Sequence, residues 1–586
     1  MRRVQFNLQN YLYSSGLYNF GTSWTNGPLD NSTSAPMGQA LAGFELGLPT
    51  SGEYDHVAGQ TNSAWYLAGF VQDDWRVNRS LTLNLGIRYE KETPTTERYN
   101  RTTNGFDFTT PNGISAAAEA AYAANPVSSL PASMFKPVGG PLFASSQNPA
   151  VYHTSSRDFS PRIGFAWSPG KAGASTVVRG GFGIFYSTIG TDGVQQTGFN
   201  AITQYVATND GYLTPAATLS NPFPNGFRLQ SAVQGIDTFQ GQSITFTNPY
   251  IKSPYTMRGT LSVQHQLQGK VLLEVAYIAS RSVHLRENEN LNYIPARYLS
   301  TSPVRDQAVI NSLSANVANP FQGLLPGTTL NGSTITVAQL VTPYPQLTGL
   351  TEYSANNGYS YFDMLAARAE KRFAGGLQFQ TNLQIARQMD ALSRLNASDP
   401  KMYKSVSGTD HPLRILFSGS YELPVGRGKR FLNVNNAGAN RVVQGIVGQW
   451  KLAGVYTYEV GTSLSWGNVI YNGGSLDLNT RGVSKAFNTT LFNTVSSQQL
   501  SNNIRTFPLR FSNLRSDSLK NLDASLSKDF SLKEGRRIEL RFEAFNATNR
   551  CQFGGPNLTP TSLTFATITS QSNSPRTLQS GIRVVW

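Results

Sequence analysis

The residue types that most often carry out chemistry are few and widely scattered in this sequence. Asp73 and Asp74 are adjacent, so on a strand their carboxylates would point to opposite faces and not to one metal ion. The single Cys551 excludes an internal disulfide framework and a multi-cysteine metal site. None of the five histidines has an HExxH or paired-ligand spacing, and His265 falls on the apolar side of a strand pattern. The histidines are His56, His153, His265, His284 and His411. We therefore predict no catalytic residues, no cofactor and no metal, and expect a protein that is not an enzyme.

Two short motifs could contact phosphate, but each has a simpler interpretation. Gly180-Gly181-Phe182-Gly183 lies inside a strand pattern and lacks the strand-to-helix turn of a nucleotide loop. Small residues in a strand more simply make room or ease curvature. Arg427, Lys429 and Arg430 follow another strand pattern, where they favour a basic turn over a phosphate site.

The composition indicates which elements must hold these residues. Hydrophobic residues make up 39% and charged residues 14%, and glycine is frequent at 53. That mixture suits strands with one apolar and one neutral polar face. No stretch reaches the roughly 20 apolar residues of a membrane helix, so any membrane span must consist of strands. The net charge of +14 comes from scattered Lys and Arg without a nucleic-acid-binding motif, so we expect no nucleic-acid partner.

Alternation of apolar and polar residues marks the strands. Residues 81–90 are the clearest, with Leu81, Leu83 and Leu85 on one face and Thr82 and Asn84 on the other. About ten residues suffice to cross a bilayer at a tilt. A weaker strand pair is predicted over residues 4–13 and 17–24. The other predicted strands are residues 65–77, 159–167, 176–186, 257–267, 271–277, 365–373, 377–385, 413–423, 449–466, 519–530, 537–545 and 575–586.

Short turns alternate with long segments along these strands, which is typical of transmembrane barrels. The predicted fold is an all-β, transmembrane antiparallel β-barrel with short periplasmic turns and long extracellular loops. We count about 15 strands. A bacterial single-chain barrel has an even count, so we expect at least one strand to be missing at the N-terminus. Residues 1–7 also lack the apolar segment of a signal peptide.

The last strand has a clean apolar face that ends on an aromatic residue. That face consists of Leu578, Ser580, Ile582, Val584 and Trp586. We expect it to face lipid, to close the sheet against the first strand and to place Trp586 at the periplasmic interface. We interpret it as the strand that the barrel-assembly machinery engages. The alternative is an ordinary edge strand of a soluble sandwich.

Several blocks resemble TonB-dependent outer-membrane receptors, especially the Oar-like receptors of Acidobacteria with a carboxypeptidase-regulatory-like domain. The blocks that carry this resemblance are Phe70-Val71-Gln72-Asp73-Asp74-Trp75, Leu81-Thr82-Leu83-Asn84-Leu85-Gly86-Ile87-Arg88-Tyr89-Glu90, Ser160-Pro161-Arg162-Ile163-Gly164-Phe165-Ala166, Tyr421-Glu422-Leu423-Pro424 with Gly426-Arg427-Gly428-Lys429-Arg430-Phe431, and Phe542-Glu543-Ala544-Phe545-Asn546-Ala547-Thr548-Asn549. The resemblance implies a 22-stranded barrel with an N-terminal plug and a TonB box. Neither plug nor TonB box is found, so residues 1–586 are expected to be the C-terminal portion of such a barrel.

The resemblance implies TonB-energised uptake of a bulky solute such as a glycan, peptide or metal chelate across the outer membrane. The expected partners are outer-membrane lipid, the barrel-assembly machinery, an extracellular solute of unknown class, and the TonB complex through a missing N-terminal region. Recognition would use residues 91–158, 188–253 and 286–358 with polar lumen residues; Arg368, Glu370 and Arg372 are expected to form lumen ion pairs. The alternatives are a surface adhesion or matrix-organising barrel, and a passive porin.

Overall fold

The structure is a computed structural model that describes residues 1–8, 13–26, 39–56, 59–170, 175–190, 201–227, 232–426, 428–433, 437–478, 482–531 and 536–586. Its main feature is one antiparallel sheet with a path of fourteen strands. In chain order these are β1 (Arg2–Leu8), β2 (Gln60–Arg76), β3 (Leu81–Glu92), β4 (Asp158–Trp167), β5 (Thr176–Tyr186), β6 (Tyr255–Leu267), β7 (Val271–Leu285), β8 (Gly358–Ala374), β9 (Leu377–Ala391), β10 (Leu413–Glu422), β11 (Trp450–Glu459), β12 (Leu519–Ser531), β13 (Arg537–Phe545) and β14 (Thr577–Val585). Two short strands, Thr96–Glu97 and Ser405–Val406, pair with β2 and β9.

The strands sort their side chains into an apolar face and a polar face. Leu85 of β3 is opposite Ile163 of β4 on the apolar face. Gln380 of β9 is opposite Ser418 of β10 on the polar face. Because side chains alternate along a strand, each register pair fixes the face of its neighbours. The predicted all-β antiparallel architecture is therefore confirmed.

In the described part of the chain, no protein layer covers the length of the apolar face. Leu578 and Ile582 of β14 are 69% and 73% exposed, and Trp586 after the strand is 92% exposed. Four tryptophans lie on this face at the end of the sheet with the shorter connections: Trp75, Trp167, Trp450 and Trp586. A sheet that exposes a continuous apolar face needs an apolar surrounding, and tryptophan rings suit the boundary of that surrounding with water.

The buried apolar core lies in the long connections and not in the sheet. These connections contain the helices Ser23–Asn26, Gln39–Glu45, Ser115–Ala124, Gln307–Ser314 and Val337–Leu340, while Ala437–Ile446 lies at the opposite end of the sheet. Their strands are Leu17–Asn19, Ser51–His56, Thr103–Pro111, Val138–Phe143, Ala201–Gln204, Ser243–Thr247, Asn288–Asn290, Asn316–Ala318, Thr334–Thr336, Gly349–Tyr353, Ser463–Ser465 and Arg510–Arg515. No helix in the described part of the chain is long and apolar enough to cross a membrane.

The predicted N-terminal strand pair is wrong. Arg2–Leu8 pairs with the Gln60 end of β2, with Arg2 opposite Tyr66. Leu17–Asn19 instead joins a small sheet with Ser51–His56, and Ser23–Asn26 is helical. The edge of the long strand β2 offers β1 seven register pairs, and this distant pairing replaces the predicted local hairpin.

The predicted odd strand count and the predicted closure also differ from the structure. The path has fourteen strands, and β1 runs from Arg2, opposite Tyr66 in the middle of β2, towards the end of the sheet with the long connections. The expectation of at least one further N-terminal strand stays a prediction. The last strand β14 pairs with β13 alone, and no pairing joins it to β1 among the described residues.

Two further predictions near β11 are corrected. The predicted strand 449–466 ends at Glu459, because the chain turns away and Ser463–Ser465 pairs with Arg510–Arg515 in a connection. The connection from β10 to β11, residues 423–449, is not a tight turn but contains the helix Ala437–Ile446. It is the one exception to the predicted sorting of connection lengths; the predicted turn 533–535 lies outside the described residues.

The glycine-rich stretch of β5 serves packing. A Cβ on Gly180 would lie 2.3 Å from Cε1 of Phe165, so glycine makes room there for an aromatic ring on the apolar face. On the polar face, the guanidinium of Arg162 lies 4.9 Å from the ring centroid of Phe185, beside Gly183. The prediction that these small residues make room in the sheet is confirmed.

Candidate functional site

A row of mostly polar side chains crosses the polar face from β9 to β14. Gln378 is opposite Ser420, which is followed on successive strands by Ala453, Ser525 and Glu543. Gln579 of β14 ends the row opposite Glu543 and donates a hydrogen bond to its carboxylate. Alternation places these amides, hydroxyls and carboxylates on one side of the sheet because their neighbours take the apolar side.

This row lines a groove of 680 Å³ on the polar face, which extends from the short turn between β8 and β9 to the end of β13 that leads into connection 546–576. Glu370, Gln380 and Ser418 line one part of the groove, and Asp523 and Glu543 line another. Ligand pockets commonly enclose about 300–1,000 Å³, so the groove is large enough for an organic solute. Its lining combines neutral hydrogen-bonding groups with charges of both signs.

The predicted ion pairs are present for two of the three residues named. Arg368 Nη2 lies 2.5 Å from Glu370 Oε2. Arg372 lines the same groove but has no ion-pair partner in the part of the chain that is described. A second network, which the sequence did not reveal, places Arg541 2.8 Å from Glu539 and 3.7 Å from Glu543. The groove therefore has a charged rim on both β8 and β13.

The other residues considered for chemistry are held in structural contacts. His265 lies on the apolar face, with Nδ1 2.7 Å from Thr176 Oγ1. Asp73 and Asp74 are opposite Leu85 and Asn84, which places them on opposite faces as predicted. No group of three or more His, Cys, Asp or Glu is arranged to hold a metal ion among the described residues.

The predicted basic turn is only partly described. Lys429 lies 3.2 Å from Glu422, and the Arg430 guanidinium lies 5.5 Å from the ring centroid of Phe431. Arg427 lies outside the described residues. Lys429 and Arg430 thus each contact a residue of the protein, and neither contact requires a bound phosphate.

The long connections form two folded caps at the opposite end of the sheet. The first cap comprises the described parts of residues 93–157, 187–254 and 286–357, and the second comprises the described parts of residues 460–518 and 546–576. Phe106, Phe246 and Leu350 share one core of the first cap although each comes from a different connection. Ser300 and Asn503 join the two caps through a backbone bridge. The three loops predicted for recognition are therefore brought together.

A match to a family identifies the surroundings of the apolar and polar faces of the sheet. The chain matches the family described as "Outer membrane beta barrel domain" over residues 1–579. The chain belongs to the outer-membrane β-barrel family. The apolar face of the barrel sheet is therefore its lipid face, and the polar face is its lumen face. The barrel is located in the bacterial outer membrane, and its shorter connections mark the periplasmic side.

Solved structures of outer-membrane proteins are similar to this barrel at low identity. They include the pyoverdine receptor FpvA from Pseudomonas aeruginosa PAO1 (11% identity, TM-score 0.38), the transporter YddB from Escherichia coli (9%, 0.36) and the FrpB iron transporter from Neisseria meningitidis (10%, 0.35). The alignments cover 92%, 90% and 91% of this chain but only 44%, 54% and 58% of those proteins. The barrel chain thus spans less than two-thirds of their length. A search of the curated proteins finds no match to the sequence.

The fold also assembles a carboxylate cluster in the first cap that the sequence did not reveal. Glu289 is directly opposite Glu352 in the small sheet, and Glu287 lies nearby in the chain. Burial and the charges of Glu289 and Glu287 raise the pKa of Glu352 to about 7. Arg394 Nη2 lies 2.8 Å from Glu289 Oε1 and ties this cluster to the connection after β9. Glu352 is distant in sequence from Glu287 and Glu289, so spacing alone could not identify the cluster.

We expect the small sheet around Glu352 to lose stability as the pH rises. The pKa is raised from 4.5 to about 7, so the folded sheet holds a proton that the opened segment releases in this window. The contribution is fully present below pH 4.5 and is lost as the pH rises through 7, by about 2 kcal/mol after allowance for partial exposure. Hydrogen-exchange protection factors of Gly349–Tyr353, corrected for intrinsic rates, should fall between about pH 5 and 8.

The Glu352→Gln variant should show pH-independent protection, because no charge forms beside Glu289. Glu119→Gln is the matched control in the same cap, since Glu119 forms an exposed pair with Lys136. It should retain the pH dependence. Unchanged protection across the range in the unmodified protein would refute this assignment.

Proposed function

We propose that this chain is the membrane barrel of an outer-membrane uptake receptor that carries a bulky polar solute through its lumen. The observation that supports this most is the row of amides, hydroxyls and carboxylates across the lumen face, with its groove of 680 Å³. A purely structural barrel has no need for a solute-sized polar groove. We propose the same solute classes as the sequence predicts: a glycan, a peptide or a metal chelate.

The two caps are suited to the capture step of this proposal. They lie at the extracellular end, and the groove extends from the short turn between β8 and β9 to the extracellular end of β13. A solute recognised by the caps would then pass polar side chains for the length of the strands. Amides and hydroxyls can exchange hydrogen bonds with a moving solute without the large desolvation cost of isolated charges.

The finer parts of the proposal come from the resemblance. We propose that residues 1–586 are the C-terminal portion of a 22-stranded barrel of the Oar-like type, and that a plug and a TonB box precede them. The TonB complex would energise uptake through that region. The β14 face of Leu578, Ser580, Ile582, Val584 and Trp586 would be the strand that the barrel-assembly machinery engages. We assign the barrel no enzymatic activity, cofactor or resident metal.

Uptake can be tested in cells with the gene as encoded. A deletion strain is compared with a complemented strain for accumulation of a labelled oligosaccharide, a labelled oligopeptide and a ferric chelate. We expect at least one class to accumulate only in the complemented strain and to stop when an uncoupler collapses the proton gradient. Ser418→Trp combined with Ser525→Trp should reduce accumulation to the level of the deletion strain, because two indole rings would fill the groove.

The matched control is Leu452→Trp, which adds an indole ring on the lipid face of a neighbouring strand. It should leave accumulation unchanged. Accumulation that persists with the uncoupler would favour a passive porin. If no class accumulates above the deletion strain, uptake is wrong and the adhesion or matrix-organising role takes its place.

A further inference from the structure

The connection between β10 and β11 differs from every other described connection on the periplasmic side. We call residues 423–449 the periplasmic insert; its described residues are 423–426, 428–433 and 437–449. The tight connections at this end include residues 77–80, 268–270 and 375–376. The insert instead contains the helix Ala437–Ile446, which lies beyond what is needed to join two neighbouring strands. An extra helix at this level calls for a role outside strand connection.

The C-terminal end of this helix is fixed to the lipid side of the barrel. Lys528 alternates with Leu526 and Phe530 on the lipid face of β12, yet its side chain is only 2% exposed. Its Nζ donates hydrogen bonds to the carbonyl oxygens of Gln444, at 3.0 Å, and of Gly448. A cation is well placed against the free carbonyls at the end of a helix. Because Lys528 projects outwards, the helix end that covers it also lies outside the barrel.

The helix lies at the level of the tryptophans at the periplasmic end of the lipid face. Trp450 Nε1 donates a hydrogen bond to the carbonyl oxygen of Ile446 at 2.9 Å, and Lys528 Nζ lies 5.2 Å from the Trp450 ring centroid. Trp450 itself is on the lipid face, opposite Lys528. Tryptophan rings prefer the boundary between hydrocarbon and water, so the helix is placed at that boundary.

Four apolar side chains of the insert are more than half exposed. Val442 and Ile446 are one turn apart on the helix and are 59% and 66% exposed. Phe431 and Leu432, in the loop before the helix, are also more than half exposed. Residues four apart lie on the same side of a helix, so Val442 and Ile446 form one apolar stripe. The stripe belongs to a helix whose C-terminal end contacts Lys528 and Trp450 on the lipid face.

The insert is also uniformly basic. It contains Arg427, Lys429, Arg430 and Arg441, and no Asp or Glu. Glu422, just before it, pairs with Lys429 and leaves an excess of positive charge. An amphipathic segment with apolar side chains and a surplus of Lys and Arg is typical of a surface that binds anionic lipid.

We propose that the periplasmic insert is a membrane-interface foot that binds the phosphate head groups of anionic phospholipids in the adjoining leaflet. The apolar stripe enters the acyl boundary beside the tryptophans, and Lys429 and Arg430 contact head groups. The lipid is the occupant because the insert is continuous with the lipid face of the barrel and complementary in charge to an anionic surface. This inference rests on membership of the barrel family and not on the proposed uptake.

The test places an environment-sensitive label on the exposed stripe of the full-length chain. Val442→Cys in a Cys551→Ser background is labelled with bimane and reconstituted into phosphatidylcholine vesicles that contain brominated phosphatidylcholine or brominated phosphatidylglycerol at equal mole fraction. We expect both lipids to quench the label, and the anionic lipid to show at least about a fivefold higher relative association constant. Heat-modifiable migration on gels confirms that every protein used is folded.

Two variants separate the basic and apolar contributions. Replacing Lys429, Arg430 and Arg441 with Gln should bring the two association constants together while quenching persists. The matched control replaces Arg79, Lys270 and Arg536 with Gln, which removes the same charge from other connections on the periplasmic side and should keep the preference. Ile446→Asp should reduce quenching by both lipids and leave the basic residues intact.

Three results would overturn the proposal. Absence of quenching by either lipid would place the helix in water. Equal quenching by both lipids in the unmodified protein would exclude selection of anionic head groups. Loss of the preference when inorganic phosphate replaces chloride at constant ionic strength, with the preference kept in sulfate, would indicate a site for free phosphate and not for lipid.

Discussion

Replacing Trp466 with alanine is expected to unfold the second cap and leave the barrel intact. Trp466 is 2% exposed. Its ring stacks on Phe492 at 5.3 Å and meets the edges of Phe487 at 5.1 Å and Phe507 at 5.6 Å. Removing a buried Trp typically costs about 3–5 kcal/mol, and here the loss falls on the residue that joins three aromatic rings.

Limited proteolysis of outer-membrane vesicles measures this effect. We expect cleavage within residues 460–518 and 546–576 to rise by about a hundredfold, in line with the free-energy loss. The barrel should still migrate as a heat-modifiable band, because none of these aromatic residues belongs to a barrel strand. Leu563→Ala is the matched control, since Leu563 is in the same cap but fully exposed, and it should change nothing. Loss of the heat-modifiable band with Trp466→Ala would show instead that cap and barrel unfold together.

Strict alternation was enough to locate the barrel strands from sequence. The predicted bounds 176–186 and 537–545 coincide with β5 and β13, because each of these strands has one face for lipid and one for water. Where alternation is weak, the prediction failed. β1 pairs with the Gln60 end of β2, which follows a long connection. No local sequence pattern predicts a pairing between segments so far apart. Strand type follows from side-chain period, whereas pairing depends on which edges remain available.

The candidate site could likewise be predicted only where it depends on the alternation of side chains along a strand. The polar row through Gln378, Gln380 and Glu370 follows from alternation, so its presence on the lumen face could be expected. The cap cores could not be predicted, because Phe106 meets Phe246 and Leu350 only after three connections pack together. The carboxylate cluster arises in the same way. The helix Ala437–Ile446 did leave a sequence signal in the paired apolar residues Val442–Val443 and Ile446–Val447, which have helical spacing.

The barrel strands and the caps are therefore stabilised by different interactions. The barrel strands depend on ladder hydrogen bonds and on lipid against their apolar face, since almost none of their apolar side chains is buried by protein. The caps depend on their own apolar cores and on buried polar contacts between connections. A substitution in a cap should therefore affect recognition before it affects insertion in the membrane.

The strongest of those polar contacts is the buried pair Asp410–Arg515, and Asp410→Ala is expected to detach the connection after β9 from the second cap. Arg515 Nη2 lies 2.6 Å from Asp410 Oδ2, and the two side chains are 11% and 3% exposed, respectively. Asp410 Oδ1 also accepts a hydrogen bond from the Gln388 backbone N–H at 2.6 Å. Removing the carboxylate leaves a buried guanidinium without its counter-charge, which typically costs about 3–5 kcal/mol. Hydrogen exchange of Ser405–Val406 and Ser463–Ser465 should speed up in this variant, while that of β12 and β13 stays unchanged.

The expected loss comes from burial and not from the presence of an ion pair as such, so the control is an exposed pair of the same length. Lys136 Nζ lies 2.6 Å from Glu119 Oε2 with side chains 55% and 31% exposed, and Glu119→Ala should cost less than about 1 kcal/mol. A double variant, Asp410→Leu with Arg515→Met, removes both charges and should recover part of the loss, because no unpaired charge remains buried. If Asp410→Ala and Glu119→Ala had equal effects on exchange, the Asp410–Arg515 contact would be an ordinary surface pair and the two connections would be held together by their apolar core alone.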